Sequence, residues 1–136
     1  MTSEATSFML IFRESTPERY GAMDRDQLRH NLDRWNAWVD DLAAQGRMQH
    51  GHTLHTKGRV VSARRVQVID GPFTEAKELV GGYFIVNARS LDEATAIAQQ
   101  CPLLEYGTAV EVRPVAAACH LARALGWDTM REPAGA

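Results

Sequence analysis

The chain has 136 residues, 45% of them hydrophobic and 24% charged, with a formal net charge of −2. That is the composition of one ordinary globular domain, long enough to bury a core without disulfide staples. It carries no basic excess of the kind that tracks a nucleic-acid backbone, and no apolar run approaches the ~20 residues of a membrane span.

"MTSEATSFMLIF" has no basic region ahead of its apolar run, which argues against a secretory leader. Phe8 to Phe12 is wholly apolar and predicts a central strand covered on both faces. Residues 14–23, with Pro17 and Gly21, read as a loop. Leu28, Leu32, Trp35, Val39 and Leu42 fall at 4-3-4-3 spacing, which predicts a helix from Asp24 to Gln45. Asp24 and Gln27 form its capping box, Gly46 its left-handed stop, and Trp38 lies just off the stripe and widens the apolar face. Met48 to Leu54 predicts a strand. Val60 to Ile69 predicts one or two more, in a hairpin with it across Lys57-Gly58.

Gly82 to Asn87 predicts another strand, and Ser90 with Glu93 caps a second helix that stops at Cys101-Pro102. Thr108 to Arg113 predicts a last strand, with Val110 and Val112 on one face and Glu111 and Arg113 on the other. Pro114 ends it or sets it at an edge. Ala116 to Leu125 predicts a terminal helix, and residues 131–136 an unstructured tail. The order strand, helix, strand, strand, helix, strand predicts an α+β, ferredoxin-like antiparallel sheet with both helices on one face. It comprises one domain over residues 1–115, with 116–136 as a helix and tail. The other face of the sheet then needs a cover, and a second copy packed about a two-fold axis is the simplest one. Cys101 and Cys119 lack paired spacing and predict reduced thiols in a cytoplasmic protein.

Between two strands stands "DGPFTEAKELVGGYF". Asp70-Gly71 signals a turn, Pro72 forces the chain off the ladder, and Thr74 can cap a turn carrying Glu75, Lys77 and Glu78. Local physics explains the bend but not the acid–base–acid trio. "DGPFTEAKE" with "GGYFIV", followed by "CP" at Cys101-Pro102 and "VEVRPV" at Val110 to Val115, resembles the signature of DGPF-domain proteins in the YCII-related group. The resemblance covers about residues 8–115, with Ala76 where the family commonly has Thr. It implies a ferredoxin-like fold, a dimer of the α/β-barrel type and a bacterial source. It also implies a gene neighbourhood that often includes extracytoplasmic-function sigma factors. The His–Asp pair attributed to the wider group is replaced here by Trp35 and Cys101, and His30 lies about 140° round the helix from the first of these.

Candidate chemistry is sparse. Buried at a helix end, Cys101 is a poor thiolate. His50 and His52 share a strand face, but His55 does not and no nearby carboxylate or cysteine completes a metal set; no metal and no cofactor are expected. Asp70 or His52 could serve as a base. If Val110 and Val112 face the helices, Arg113 faces an inter-subunit cavity. There it could clamp a ligand carboxylate or pair with Glu78 or Glu111, with Tyr83 as a hydroxyl donor and Glu75 and Lys77 as further lining charges. Three readings stay open. One is a small-molecule-binding or accessory module, tied to sigma-factor regulation by the resemblance alone. Another is an enzyme acting on a small organic acid or lactone. The last is a purely structural partner of a transcription factor.

Overall fold

In a computed structural model, the structure describes residues 6–14, 17–69 and 79–133. Six strands and three helices follow in the order β1 (Thr6–Glu14), α1 (Arg25–Ala44), β2 (Met48–Thr53), β3 (Gly58–Ser62), β4 (Arg65–Ile69), β5 (Leu79–Ala88), α2 (Leu91–Ala98), β6 (Ala109–Pro114) and α3 (His120–Ala124). Short 3-10 turns occupy Pro17–Ala22 and Leu104–Tyr106.

The main sheet has the order β2-β5-β1-β6, and every pairing in it is antiparallel. With the β3–β4 hairpin set aside, this is the ferredoxin-like order that the sequence predicts. Phe8, Leu10 and Phe12 of β1 and Phe84, Val86 and Ala88 of β5 are buried in one cluster with Trp38 and Leu42 of α1 and Ala94, Ile97 and Ala98 of α2. Alternate strand residues therefore face the helices, and both helices lie on one side. Val110 and Val112 pack against the same cluster, so Glu111 and Arg113 point to the open side.

Helix α1 starts where its capping signal stands: the Asp24 side chain accepts from the Gln27 N–H at 2.8 Å, and Gln27 returns the bond to the Asp24 N–H. It ends before Gly46, whose φ of 73° only glycine adopts without strain. In α2 the Ser90 hydroxyl accepts from the Glu93 N–H, but the returning bond reaches the Arg89 N–H, one residue outside the cap. Glu93 also pairs with Arg47 at 3.0 Å, tying α2 to the start of β2.

Three expectations change. Trp38 widens the apolar face as expected and is buried in the core, but Leu28 and Leu32 of the stripe itself are exposed. The strands over 60–69 pair with each other in a separate two-stranded sheet, and not with β2. β2 instead takes β5 as its neighbour. The hairpin stands clear of the core, with Val61 73% exposed and Val66 and Val68 also exposed on its one apolar face. The terminal helix is shorter than expected, beginning only at His120. Asp70 to Glu78, including the proposed turn and trio, lies outside the described residues, as do 134–136 of the expected tail.

Candidate functional site

Strand β1 runs past its buried residues to Glu14. Phe8, Leu10, Phe12 and Glu14 alternate, so the carboxyl continues the helix-facing row at the strand's end. Opposite it, the register between β1 and β5 slips at Phe12/Arg13, where Gly81 and Gly82 stand. A Cβ on Gly81 would collide with Glu14 Oε2. Gly81 thus makes room for the carboxyl, while Gly82 makes room for the backbone of β2 at His52 and Thr53.

Above Glu14 is a cavity of about 220 Å³. The ends of β1 and β5 form its floor, with Phe12, Glu14 and Phe84; Leu32 and Trp35 of α1 form one wall, and Leu103 and Thr108, after α2, the other. The end of β2 closes the edge at His52 and Thr53. The aromatic rings brace one another: Phe12 and Trp35 lie 5.2 Å apart between centroids, Phe12 and Phe84 4.8 Å, and Trp35 and Phe84 5.5 Å. Trp38 backs them at 5.3 Å from Trp35. Edge-on and tilted packing of this kind fixes ring orientation as well as burying area. Two ties hold α1 to the far wall: Arg34 pairs with Glu105 at 2.8 Å, and the Tyr106 hydroxyl donates to the buried Asn31 at 3.2 Å.

The polar groups form a short chain. The Tyr20 hydroxyl stands beside the Glu14 carboxyl and favours its charged form. Tyr20 Oη and the Thr108 hydroxyl oxygen share a hydrogen bond at 3.3 Å, in which either can donate. Burial raises the pKa of Glu14, and the Tyr20 bond only partly opposes this. Burial likewise raises the Tyr20 phenol and the Cys101 thiol, the latter with a smaller push from Glu14. Cys101 is therefore a core residue kept as a neutral thiol, as its position at the helix end suggests.

The other sheet face gathers the candidates read from the sequence. Tyr83 Oη lies 2.9 Å from His52 Nδ1 and 3.4 Å from His50 Nδ1. One phenol proton serves only one imidazole, so the other ring must donate to the phenol oxygen. Across the sheet from Tyr83 and Ile11 stands Glu111, which binds Arg13 at 2.9 Å and Arg113 at 3.6 Å. Between these polar clusters lie Met9, Ile11 and Ile85. The open face thus brings His52, Tyr83, Glu111 and Arg113 onto one surface, and adds Arg13 and His50. The cavity lies elsewhere, within one chain and on the helix side. Asp70, Glu75, Lys77 and Glu78 lie outside the described residues. Among the described residues no group of three or more His, Cys, Asp or Glu is placed to hold a metal ion, and no helix is long and apolar enough to cross a membrane.

Sequence reading missed Glu14 because the segment from 14 onward reads as a loop. The signal was the parity of Phe8, Phe12 and Glu14, which places an acid in a row of core residues. In comparison with known proteins, the model of the YCII-related domain matches residues 7–117. An uncharacterised protein of Rhizobium meliloti (strain 1021) is 41% identical over 56 residues, 40% of this chain, and the match spans 45% of that protein's length.

Proposed function

The chain belongs to the YCII-related family, and we propose that it binds a small molecule in the aromatic cavity over Glu14. The observation that carries this reading is the cavity itself. It is walled by aromatic and aliphatic side chains and has one acid at its floor, the usual make-up of a small-ligand site. At about 220 Å³ it lies just under the ~300–1,000 Å³ of drug-sized pockets and suits a single-ring compound.

The protein works as a homodimer joined through the open sheet face. Met9 and Ile11, half-buried, and Ile85, buried already in the single chain, give that face an apolar centre, and the His50–Tyr83–His52 and Arg13–Glu111–Arg113 groups give it a polar rim. This matches the anatomy of an interface. In the dimer, Arg113, Glu111 and Tyr83 contact the second copy. A connection to an extracytoplasmic-function sigma factor rests on the sequence resemblance.

The test uses Trp35 as reporter. A panel of neutral, anionic and cationic single-ring compounds is titrated against tryptophan fluorescence and melting temperature. At least one class is expected to quench and to raise the Tm, as mass action requires. Leu103→Trp, which fills the cavity, is expected to abolish both responses. Saturable binding that survives this filling would place the ligand elsewhere and refute the reading.

A further inference from the structure

Glu14 is the one charged side chain lining the cavity among the described residues, and none of the ion pairs among those residues includes it. Its polar partner is the neutral Tyr20 hydroxyl. A carboxylate taken into apolar surroundings needs a counter-charge or must take up a proton. Arg13, next to it in sequence, is turned to the opposite sheet face and bonded to Glu111 at 2.9 Å.

What surrounds the carboxyl suits a cation. Phe12, Trp35 and Phe84 all line the same space, with centroids within 4.8–5.5 Å of one another. Aromatic faces attract ammonium groups, tryptophan best of all. An anionic ligand would meet a like charge and, among the described lining residues, no donor from arginine or lysine. A carboxylate beside an aromatic wall, with no cation paired to it among the described residues, lacks one component, and a ligand can bring it.

We propose that the cavity takes a small organic cation, a primary or secondary ammonium on a single-ring or short apolar body, with Glu14 as its counter-ion and Trp35, Phe12 and Phe84 as its wall. This rests on the reading of the cavity as a ligand site. Gly81 shares in the specificity, because its missing side chain lets the carboxyl occupy the floor.

The test is a matched series on the full chain: benzylamine, benzyl alcohol and benzoate, followed by Trp fluorescence. The amine is expected to bind roughly tenfold or more tighter than the alcohol, as a charge-assisted hydrogen bond implies, and benzoate weakest. The amine's advantage should shrink as pH falls through the raised pKa of Glu14, while the alcohol's affinity stays level. This measurement needs no mutant. Glu14→Gln should erase the difference between amine and alcohol. If the alcohol or benzoate binds as well as the amine, the cation assignment is overturned and the binding reading stands. If no member of the series, nor of the wider panel, binds at millimolar concentration, both fail together.

Discussion

The adjacent glycines at the head of β5 make opposite predictions. A Cβ at Gly82 would lie 2.6 Å from the His52 carbonyl oxygen and 3.1 Å from Thr53 Cα. Both are backbone atoms of the paired strand β2, so Gly82→Ala can be relieved only by moving strands apart. Overpacking of this kind costs about 1–3 kcal/mol, and the upper half applies where backbone must shift. Stiffening the unfolded chain returns about 0.4–1 kcal/mol. The net loss of about 1–2.5 kcal/mol corresponds to a Tm lower by about 3–9 °C for a domain of this size. At Gly81 the obstructing atom is Glu14 Oε2, the far end of a flexible side chain. Gly81→Ala should push the carboxyl aside, lose a hydrogen bond worth about 1 kcal/mol, and regain most of that from the unfolded chain. Its Tm should stay within about 3 °C of the parent, while ligand binding at the cavity is lost. Thermal unfolding followed by circular dichroism, with fluorescence titration of each variant, checks both. Equal Tm losses, or undiminished binding in Gly81→Ala, would refute the account of the floor.

Glu14 gives a pH prediction. Its folded pKa lies above its unfolded value, so its contribution to stability is full below the unfolded pKa and is lost as pH rises through the folded pKa. Glu14→Gln should therefore raise the Tm relative to parent at pH 7.5 and close that gap near pH 4; a gap widening toward acid reverses the sign and the argument. Leu10 is completely buried, and Leu10→Ala should cost about 2–5 kcal/mol by urea unfolding. Trp38→Phe should change stability by only about 1 kcal/mol: it loses ring area but also removes an indole N–H that is buried without an acceptor. Ile11→Glu sets a charge in the apolar centre of the open face and should halve the mass seen by light scattering; a parent already monomeric contradicts the proposed dimer.

The fold was largely legible because its signals are local. Asp24 and Gln27 mark one helix start, Ser90 another, Gly46 a stop, and the alternation of Val110 with Glu111 gives the outer strand its facing. Where reading failed, the deciding information was tertiary. Val60, Val61, Val66 and Val68 have the β-branched character of a core strand, yet they form a hairpin exposed to solvent, since nothing local tells a strand which neighbour to take. Leu28 and Leu32 obey the helical period yet stay exposed, Leu32 at the wall of the cavity and not in the core. Glu14 needed its parity with Phe12 to be trusted across what reads as a loop boundary. The cavity could not be foreseen, because it joins residues from the ends of three strands, from α1 and from the α2–β6 connection. The open-face pair Glu111 and Arg113 was legible from period two alone, while the third member, Arg13, was hidden on another strand.

Carboxyl-carbon NMR titration of Glu14, with and without benzylamine, tests the central claim most directly. The account predicts a midpoint above the ordinary glutamate range in the free protein, which falls when the amine is bound because the ligand's charge favours the carboxylate. A Glu14 that titrates as a solvated glutamate, with a midpoint the amine does not move, contradicts it.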